Sequence, residues 1–176
     1  MSTQRQISTP TLSTPRTILR PYTRADETAF VTLFRDDQVN RFVGDGTTDP
    51  VEDLQALFGR IFDIVYANQR FAVWAIEYDG QFAGHAEIKP SPADDVDGWE
   101  IIYMLRRDVW GKGLATEVAR AITMYGFEEV GLEKVYATIM SENLPSARVL
   151  GKVGYKFVAE RVEENMTVHI YAIERK

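Results

Sequence analysis

Residues 105–117 contain the most informative pattern in the chain, Leu105-Arg106-Arg107-Asp108-Val109-Trp110-Gly111-Lys112-Gly113-Leu114-Ala115-Thr116-Glu117. A helix is predicted from about Gly113 to Val130, after a basic loop that contains glycine. The first backbone N–H groups of a helix have no partner inside the helix and carry partial positive charge. Because Gly111, Gly113 and Ala115 are small, an anion can reach those groups. The stretch therefore predicts a diphosphate cradle.

This cradle differs from two common phosphate motifs. A P-loop needs Ser or Thr directly after Gly-Lys and a further glycine upstream, and both are missing. A dinucleotide-binding fingerprint needs a third glycine where this chain has Thr116. Arg106, Arg107 and Lys112 add positive charge beside the cradle, with solvated loop residues as the alternative interpretation. The assignment therefore depends on the flanking sequence.

Composition excludes several classes of function. The chain has 176 residues, which predicts one compact domain, and 45% of them are hydrophobic, as in globular proteins. Cysteine is absent, which excludes disulfide scaffolds, iron–sulfur clusters and a cysteine nucleophile and favours a cytoplasmic location. Only His85 and His169 are histidines, so no metal site is expected. The net charge of −6 opposes nucleic-acid binding, and no apolar run approaches the ~20 residues of a membrane span.

The chain divides into a tail and a domain. Residues 1–15 are rich in Ser, Thr and Pro, which predicts a flexible tail before a single domain over 16–176. Helices are predicted to begin near residues 23 and 49 and to cover 113–130 and 145–153. Strands are predicted over 17–22, 70–78, 81–89, 99–105, 134–139, 155–163 and 167–174. This order predicts an α/β (α+β) fold, a mixed and mostly antiparallel twisted sheet with helices on both faces.

The segments around the cradle complete a family pattern: Glu100-Ile101-Ile102-Tyr103 before it, then Asn143-Leu144-Pro145-Ser146 and Gly154-Tyr155-Lys156-Phe157 after it. Over residues 16–176 the chain resembles the GNAT superfamily of N-acetyltransferases, especially the ribosomal-protein N-terminal (RimJ/RimL-like) subgroup. The motif of that superfamily is Gln or Arg, two residues, Gly, one residue, then Gly or Ala. Here Trp110 stands at the Gln or Arg position, which is similar to the subgroup's variant.

The resemblance implies that acetyl-CoA is the cosubstrate, without a metal. Its diphosphate would lie on the backbone N–H groups of Trp110, Gly111, Lys112, Gly113, Leu114 and Ala115. Its pantetheine arm would run between strands 99–105 and 134–139, which splay apart in the family. The backbone of Tyr103, Met104 and Leu105 would pair with the pantetheine amides and donate an N–H to the thioester oxygen. Arg106 and Asn143 complete the expected cofactor-binding set, and a bare helix cap is the alternative for Asn143.

Acetyl transfer to an amine needs a base, because primary amines have pKa values of ~10. Glu100 is the candidate base, and an exposed or salt-bridged strand residue is the alternative. Many members of the family use a tyrosine as general acid at the position where this chain has Leu150. The resemblance to the subgroup therefore assigns the proton donor to Ser146, and helix capping is the alternative role for this serine. His85 is either an auxiliary base or a structural or exposed residue. Arg148 and Lys152 on the short helix are candidates for contact with the adenosine 3′-phosphate, and a solvated helix face is the alternative.

The expected function is transfer of acetyl from acetyl-CoA to a primary amine by direct attack in a ternary complex. The subgroup resemblance favours a protein or peptide N-terminal α-amine as the acceptor. Acetylation of a small amine (a polyamine, an amino-acid-like metabolite or an antibiotic) stays open, as does a non-catalytic acyl-CoA sensor. A nucleotide-binding enzyme such as a kinase is opposed by the missing P-loop pattern. Neither nucleic acid nor a membrane is expected as a partner, and both a monomer and a homodimer are compatible with the sequence.

Overall fold

One eight-stranded sheet organises the molecule. The computed structural model describes residues 6–163 and 165–176. Its strands are β1 (Leu12–Ser13), β2 (Thr17–Arg20), β3 (Ala72–Tyr78), β4 (Gln81–Pro90), β5 (Trp99–Leu105), β6 (Lys134–Met140), β7 (Lys156–Glu163) and β8 (Met166–Glu174). Their order across the sheet is β1-β2-β3-β4-β5-β6-β8-β7, and β5 with β6 is the parallel pair among antiparallel neighbours. The predicted mixed, mostly antiparallel sheet is confirmed.

The helices connect the strands on both faces. They are α1 (Glu27–Phe34), α2 (Asp37–Asn40), α3 (Val51–Arg60), α4 (Leu114–Tyr125) and α5 (Leu144–Val153). Two of them continue as π-helical segments, α3 over Ile61–Tyr66 and α4 over Gly126–Val130. The short α2 is too brief for a hydrophobic period, so the sequence did not predict it. No helix within the described ranges is long and apolar enough to cross a membrane.

Two cores lie on opposite faces of the sheet. Successive side chains of a strand point to opposite faces, and β3 illustrates this alternation. Trp74 and Ile76 pack into the core that includes α4, whereas Val73 and Ala75 pack with Phe30 of α1 and residues of α3. The sheet therefore separates an α4–α5 side from an α1–α3 side.

The central strands β5 and β6 separate soon after they meet. Their register contains two pairs, Trp99 with Val135 and Glu100 with Tyr136. Beyond these pairs β5 continues against β4 as far as Leu105, and β6 continues against β8. A wedge-shaped gap therefore opens between β5 and β6, as the family resemblance implied.

The N-terminal segment differs from the flexible tail predicted over 1–15. Ile7 is buried, the Trp74 indole donates to the Pro10 carbonyl at 2.7 Å, and Leu12 pairs with Leu19 of β2. The Ser/Thr/Pro composition hid this packing, because its apolar anchors are few and their partners are distant in the chain. Residues 1–5 of the predicted tail lie outside the described residues.

Candidate active site

The predicted cradle is an exposed turn that leads into α4. Gly111 and Gly113 have positive φ angles of 74° and 80°, which disfavour any residue with a Cβ atom. Gly113 is the N-cap of α4. A Cβ atom added to Gly113 would lie 3.3 Å from Nη2 of Arg16. The turn is exposed, and the first N–H groups of α4 have no acceptor within the helix.

Trp110 ties this turn to the sheet. Its indole Nε1 donates to the carbonyl oxygen of Leu105, the last residue of β5, at 2.7 Å. Its ring is about half exposed. At the motif position where the family has Gln or Arg, Trp110 therefore forms a hydrogen bond that stabilises the turn against the end of β5.

The basic residues near the cradle have different partners. Arg106 pairs with Asp108, and Arg107 pairs with Asp36, each at 2.7 Å. The Lys112 ammonium lies 5.2 Å from the centre of the Tyr78 ring. Arg16, which the sequence analysis missed, lies directly beside Gly113. No local pattern could have indicated it, because the two residues are far apart in the chain.

Glu100 lies where β5 and β6 separate. Its side chain is buried, and Oε2 accepts hydrogen bonds from Ser91 Oγ at 3.1 Å and from Thr138 Oγ1 at 3.3 Å. It is thus buried, and it forms no salt bridge with any residue in the described ranges. The two hydroxyl groups hold its carboxylate in one orientation at the closed end of the gap.

Asn143, Ser146 and Tyr103 lie on the α5 side of the gap. Asn143 caps α5 through Oδ1, which accepts from the Ser146 backbone N–H at 3.2 Å. The Tyr103 hydroxyl is buried and makes no hydrogen bond within the described residues. Burial raises the pKa of this phenol to about 12, and a polar contact with the Ser146 side chain, outside hydrogen-bonding geometry, partly offsets the rise. Tyr103 thus brings an unpaired donor next to Ser146, which the sequence did not indicate.

A buried polar chain crosses the α1–α3 side of the sheet. The Tyr22 hydroxyl lies 2.8 Å from Nδ1 of His85, and Nε2 of His85 lies 2.9 Å from Oε1 of Glu87. Lys89 Nζ is 3.0 Å from Glu87 Oε2. Burial would raise the pKa of Glu87, but the His85 imidazole and the Lys89 ammonium outweigh it and lower the pKa to about 2. His85 is therefore a buried residue bonded through both ring nitrogens.

This chain of residues and Glu100 share one face. Lys89 on β4 is the direct partner of Glu100 on β5, and residues 85, 87 and 89 alternate onto the same side. Arg148 and Lys152, in contrast, are exposed on α5. No group of three or more potential metal ligands occurs among residues 6–163 and 165–176.

These features fit a long, anionic thioester donor such as acetyl-CoA. The cradle offers backbone N–H groups at a turn with two positive-φ glycines, and the space around Gly111 is open. The gap between β5 and β6 leaves a strand edge unpaired beyond Glu100, and the buried Tyr103 hydroxyl there lacks a partner. Unpaired strand edges bind extended amide-containing chains, and unpaired buried hydroxyl groups bind polar atoms.

Comparison with known proteins places the chain in a family. A model of the acetyltransferase (GNAT) domain matches residues 16–156. The uncharacterized N-acetyltransferase YoaA of Bacillus subtilis is 30% identical over 153 residues, which cover 84% of this chain and 83% of YoaA. The FsC-acetyl coenzyme A-N(2)-transacetylase of Aspergillus fumigatus is 26% identical over 155 residues, or 85% and 66% of the two chains.

Solved structures with a similar fold are also acetyltransferases. RimL, a ribosomal L7/L12 alpha-N-protein acetyltransferase solved with coenzyme A, superimposes with a TM-score of 0.78 over 94% of this chain and 98% of its own. Its sequence identity is 13%, so this likeness extends to the fold alone. The matched domain and the identity to YoaA decide the assignment: the chain belongs to the GNAT family of N-acetyltransferases, which use acetyl-CoA as the acetyl donor.

Proposed function

We propose that this protein transfers the acetyl group of acetyl-CoA to the N-terminal α-amine of a protein or peptide. The observation that carries the proposal is the gap between β5 and β6, with an anion cradle at Gly113 and a buried carboxylate, Glu100, at its closed end. The chain has no cysteine, so an acetyl-cysteine intermediate is excluded. The amine therefore attacks the thioester directly while both substrates are bound.

The donor is held mainly by backbone groups. The N–H groups of Trp110 to Ala115 bind the diphosphate, and those of Tyr103 to Leu105 pair with the pantetheine arm. One N–H of the latter group stabilises the thioester oxygen as it gains negative charge. Arg106 supplements this set if its guanidinium turns away from Asp108, its partner at 2.7 Å. Asn143, at the start of α5, contacts the pantetheine or the acceptor.

The acceptor amine must lose a proton, and the departing thiolate must gain one. Glu100 accepts the proton of the amine, directly or through water, with Ser91 and Thr138 fixing its carboxylate. Ser146 donates a proton or a hydrogen bond on the thiolate side, next to the unpaired hydroxyl of Tyr103. Positioning the two reactants contributes effective molarities of ~10⁵–10⁸ M, which exceeds the typical ~10²–10⁴-fold from acid–base groups.

Two measurements test this function. Calorimetric titration with acetyl-CoA, and with ATP as the matched phosphate control, should detect binding of acetyl-CoA alone. Thiol release should then be compared for a peptide with a free α-amine, the same peptide with a blocked α-amine, and a blocked peptide with a free lysine. We expect release only with the free α-amine. Absence of acetyl-CoA binding, or equal release from all three peptides, would refute the proposal.

Acetylation of a small amine is the second candidate function. It is favoured by the relative from Aspergillus fumigatus, whose name specifies acetyl transfer at an N(2) position and mentions no protein acceptor. Spermidine and free amino acids in the same thiol-release assay distinguish it. Release with these amines and none with the peptides would select the small-amine function, while binding of acetyl-CoA without any release would indicate a sensor.

A further inference from the structure

A guanidinium group lies at the N-terminus of α4 although it comes from the segment before β2. Arg16 Nη2 is 3.3 Å from the position that a Cβ atom of Gly113 would take. The Arg16 side chain is 45% exposed, so part of this group faces solvent. One wall of the cradle is therefore a charged side chain from a distant part of the sequence.

Glu117 holds this arginine in place from the first turn of α4. Arg16 Nε donates to Glu117 Oε1 at 2.6 Å, and the Thr14 hydroxyl donates to Oε2 at 2.9 Å. Burial would raise the pKa of Glu117, but the hydrogen bonds from Arg16 and Thr14 outweigh it and lower the pKa. The carboxylate therefore stays ionised and fixes both residues of the N-terminal segment against the helix.

The charges at this corner do not balance. The N-terminus of α4 carries partial positive charge, and a guanidinium beside it is unfavourable unless an anion compensates both. Glu117 supplies one negative charge, and Asp108, which is near enough to act on Lys112, is already paired with Arg106. Lys112 brings another cation to the same corner, because it lies over Tyr78, which pairs with Thr17 next to Arg16. A second anion would therefore be attracted here.

The other arginines near the cradle are directed elsewhere. Arg106 binds the carboxylate of Asp108, and Arg107 binds that of Asp36, which lies between α1 and α2. Arg16 also has a carboxylate partner, but a guanidinium has five N–H donors and Glu117 faces only Nε and Nη2. Its remaining donors are available beside Gly113.

We propose that Arg16 is a phosphate-binding residue of the acetyl-CoA site and donates to the diphosphate at the α4 N-terminus. The inference rests on the proposed placement of the diphosphate at the cradle. Glu117 and Thr14 act as positioning residues that hold the guanidinium. The N-terminal segment thus contributes to donor binding as well as to packing.

The test compares variants that break the same ion pair from either side. Arg16→Gln removes the guanidinium, whereas Glu117→Gln removes its carboxylate partner and leaves the guanidinium in place. Arg16→Lys keeps the positive charge but loses the planar guanidinium with its several N–H donors. Each is titrated calorimetrically with CoA and with 3′-dephospho-CoA, and pantetheine is measured by displacement. Thermal unfolding of the free proteins reports any loss of structure.

We expect Arg16→Gln to lower the affinity for CoA by about 10-fold or more, as expected for the loss of a charge-assisted hydrogen bond. The loss of affinity in Arg16→Lys should be smaller. Affinity for dephospho-CoA should fall equally, pantetheine should be unaffected, and Glu117→Gln should lose less affinity than Arg16→Gln.

Four results would overturn the assignment. Equal losses in Arg16→Gln and Glu117→Gln, or an equal loss for pantetheine, would show that the ion pair only supports the fold. A loss with CoA but none with dephospho-CoA would move Arg16 to the 3′-phosphate. An unchanged CoA affinity in Arg16→Gln would remove Arg16 from the site. Failure of the wild-type protein to bind CoA would instead refute the proposed cofactor site itself.

Discussion

The donor side and the acceptor side of this molecule are built in different ways. The proposed cradle is one contiguous stretch, residues 105–117, and it would bind through backbone groups exposed at a helix start. The proposed acceptor side is the face that Glu100 shares with the polar chain of Tyr22, His85 and Glu87, side chains from separate elements. A backbone site tolerates changes of side chain but depends on its glycines. A side-chain network depends on each of its members.

The largest effect is expected where the backbone site is blocked. Gly113→Glu places a side chain at a φ of 80° and adds negative charge at the helix N-terminus, where the diphosphate should bind. We expect CoA affinity in calorimetric titration to fall by about 100-fold or more, a loss of about 3 kcal/mol.

Gly59→Glu is the matched control for this variant. Gly59 lies in α3, and a Cβ atom there meets no atom within 4 Å. It adds the same charge on the other side of the sheet, so CoA affinity should be retained. If Gly113→Glu binds CoA as tightly as Gly59→Glu does, the cradle is not the diphosphate site.

The same contrast explains what the sequence could and could not predict. Local features were readable: the helix start at Gly113, the strand order that produces the mixed sheet, and the motif around Trp110. Contacts between distant segments were not. Arg16 beside Gly113, the buried bonds of His85 and the unpaired hydroxyl of Tyr103 depend on how strands and helices pack, and no spacing in the chain encodes them.

On the acceptor side, the largest kinetic effect is expected at Glu100. Glu100→Gln keeps the size of the side chain but removes the base. Turnover should fall by ~10²–10⁴-fold and should recover partly as pH rises and more free amine is present. Initial rates of thiol release between pH 6 and pH 9, with CoA affinity as a second readout, check this prediction.

Thr138→Val provides the graded comparison. It removes one of the two hydroxyl groups that orient Glu100 and leaves the carboxylate, so its loss of turnover should be smaller. CoA affinity should be unchanged in both variants, because Glu100 lies at the closed end of the gap, away from the cradle. Wild-type turnover in Glu100→Gln across this pH range would exclude Glu100 as the base.

The buried polar chain should appear as pH-dependent stability. The pKa of Glu87 is about 2 in the fold, below the ~4.3 of an unfolded glutamate, so its contribution is present above that value and is lost as pH falls towards 2. Glu87→Gln should therefore lower the free energy of unfolding by about 3 kcal/mol at pH 7. The difference from wild type should shrink between about pH 4.5 and pH 2.

Urea unfolding at a series of pH values measures this difference. Glu174→Gln is the control, since Glu174 is exposed and pairs with Lys134 at the surface, where ion pairs contribute little. A destabilisation by Glu87→Gln of the same size at pH 3 and pH 7 would contradict an ionised, ion-paired Glu87.

The smallest effect on stability is expected from two buried tyrosines on the same face of the sheet, which differ in whether their hydroxyl groups are hydrogen-bonded. The Tyr103 hydroxyl has no partner among the described residues, whereas the Tyr155 hydroxyl lies 2.8 Å from Thr123 Oγ1. A buried hydroxyl without a hydrogen bond costs about 1–3 kcal/mol, and a satisfied one contributes about 1 kcal/mol. Tyr103→Phe should therefore raise the free energy of unfolding by about 1 kcal/mol, and Tyr155→Phe should lower it by a similar amount.

The two variants should also differ in activity. If the Tyr103 hydroxyl meets a polar atom of a substrate in the gap, Tyr103→Phe should slow thiol release by about 10-fold while stabilising the free protein. Tyr155→Phe should destabilise the protein with little change in rate, because its hydroxyl is already satisfied by Thr123. A Tyr103→Phe protein that is less stable than wild type would show that this hydroxyl is bonded within the fold. Wild type would then forgo no stability at Tyr103, and the hydroxyl would not be free to bind a substrate.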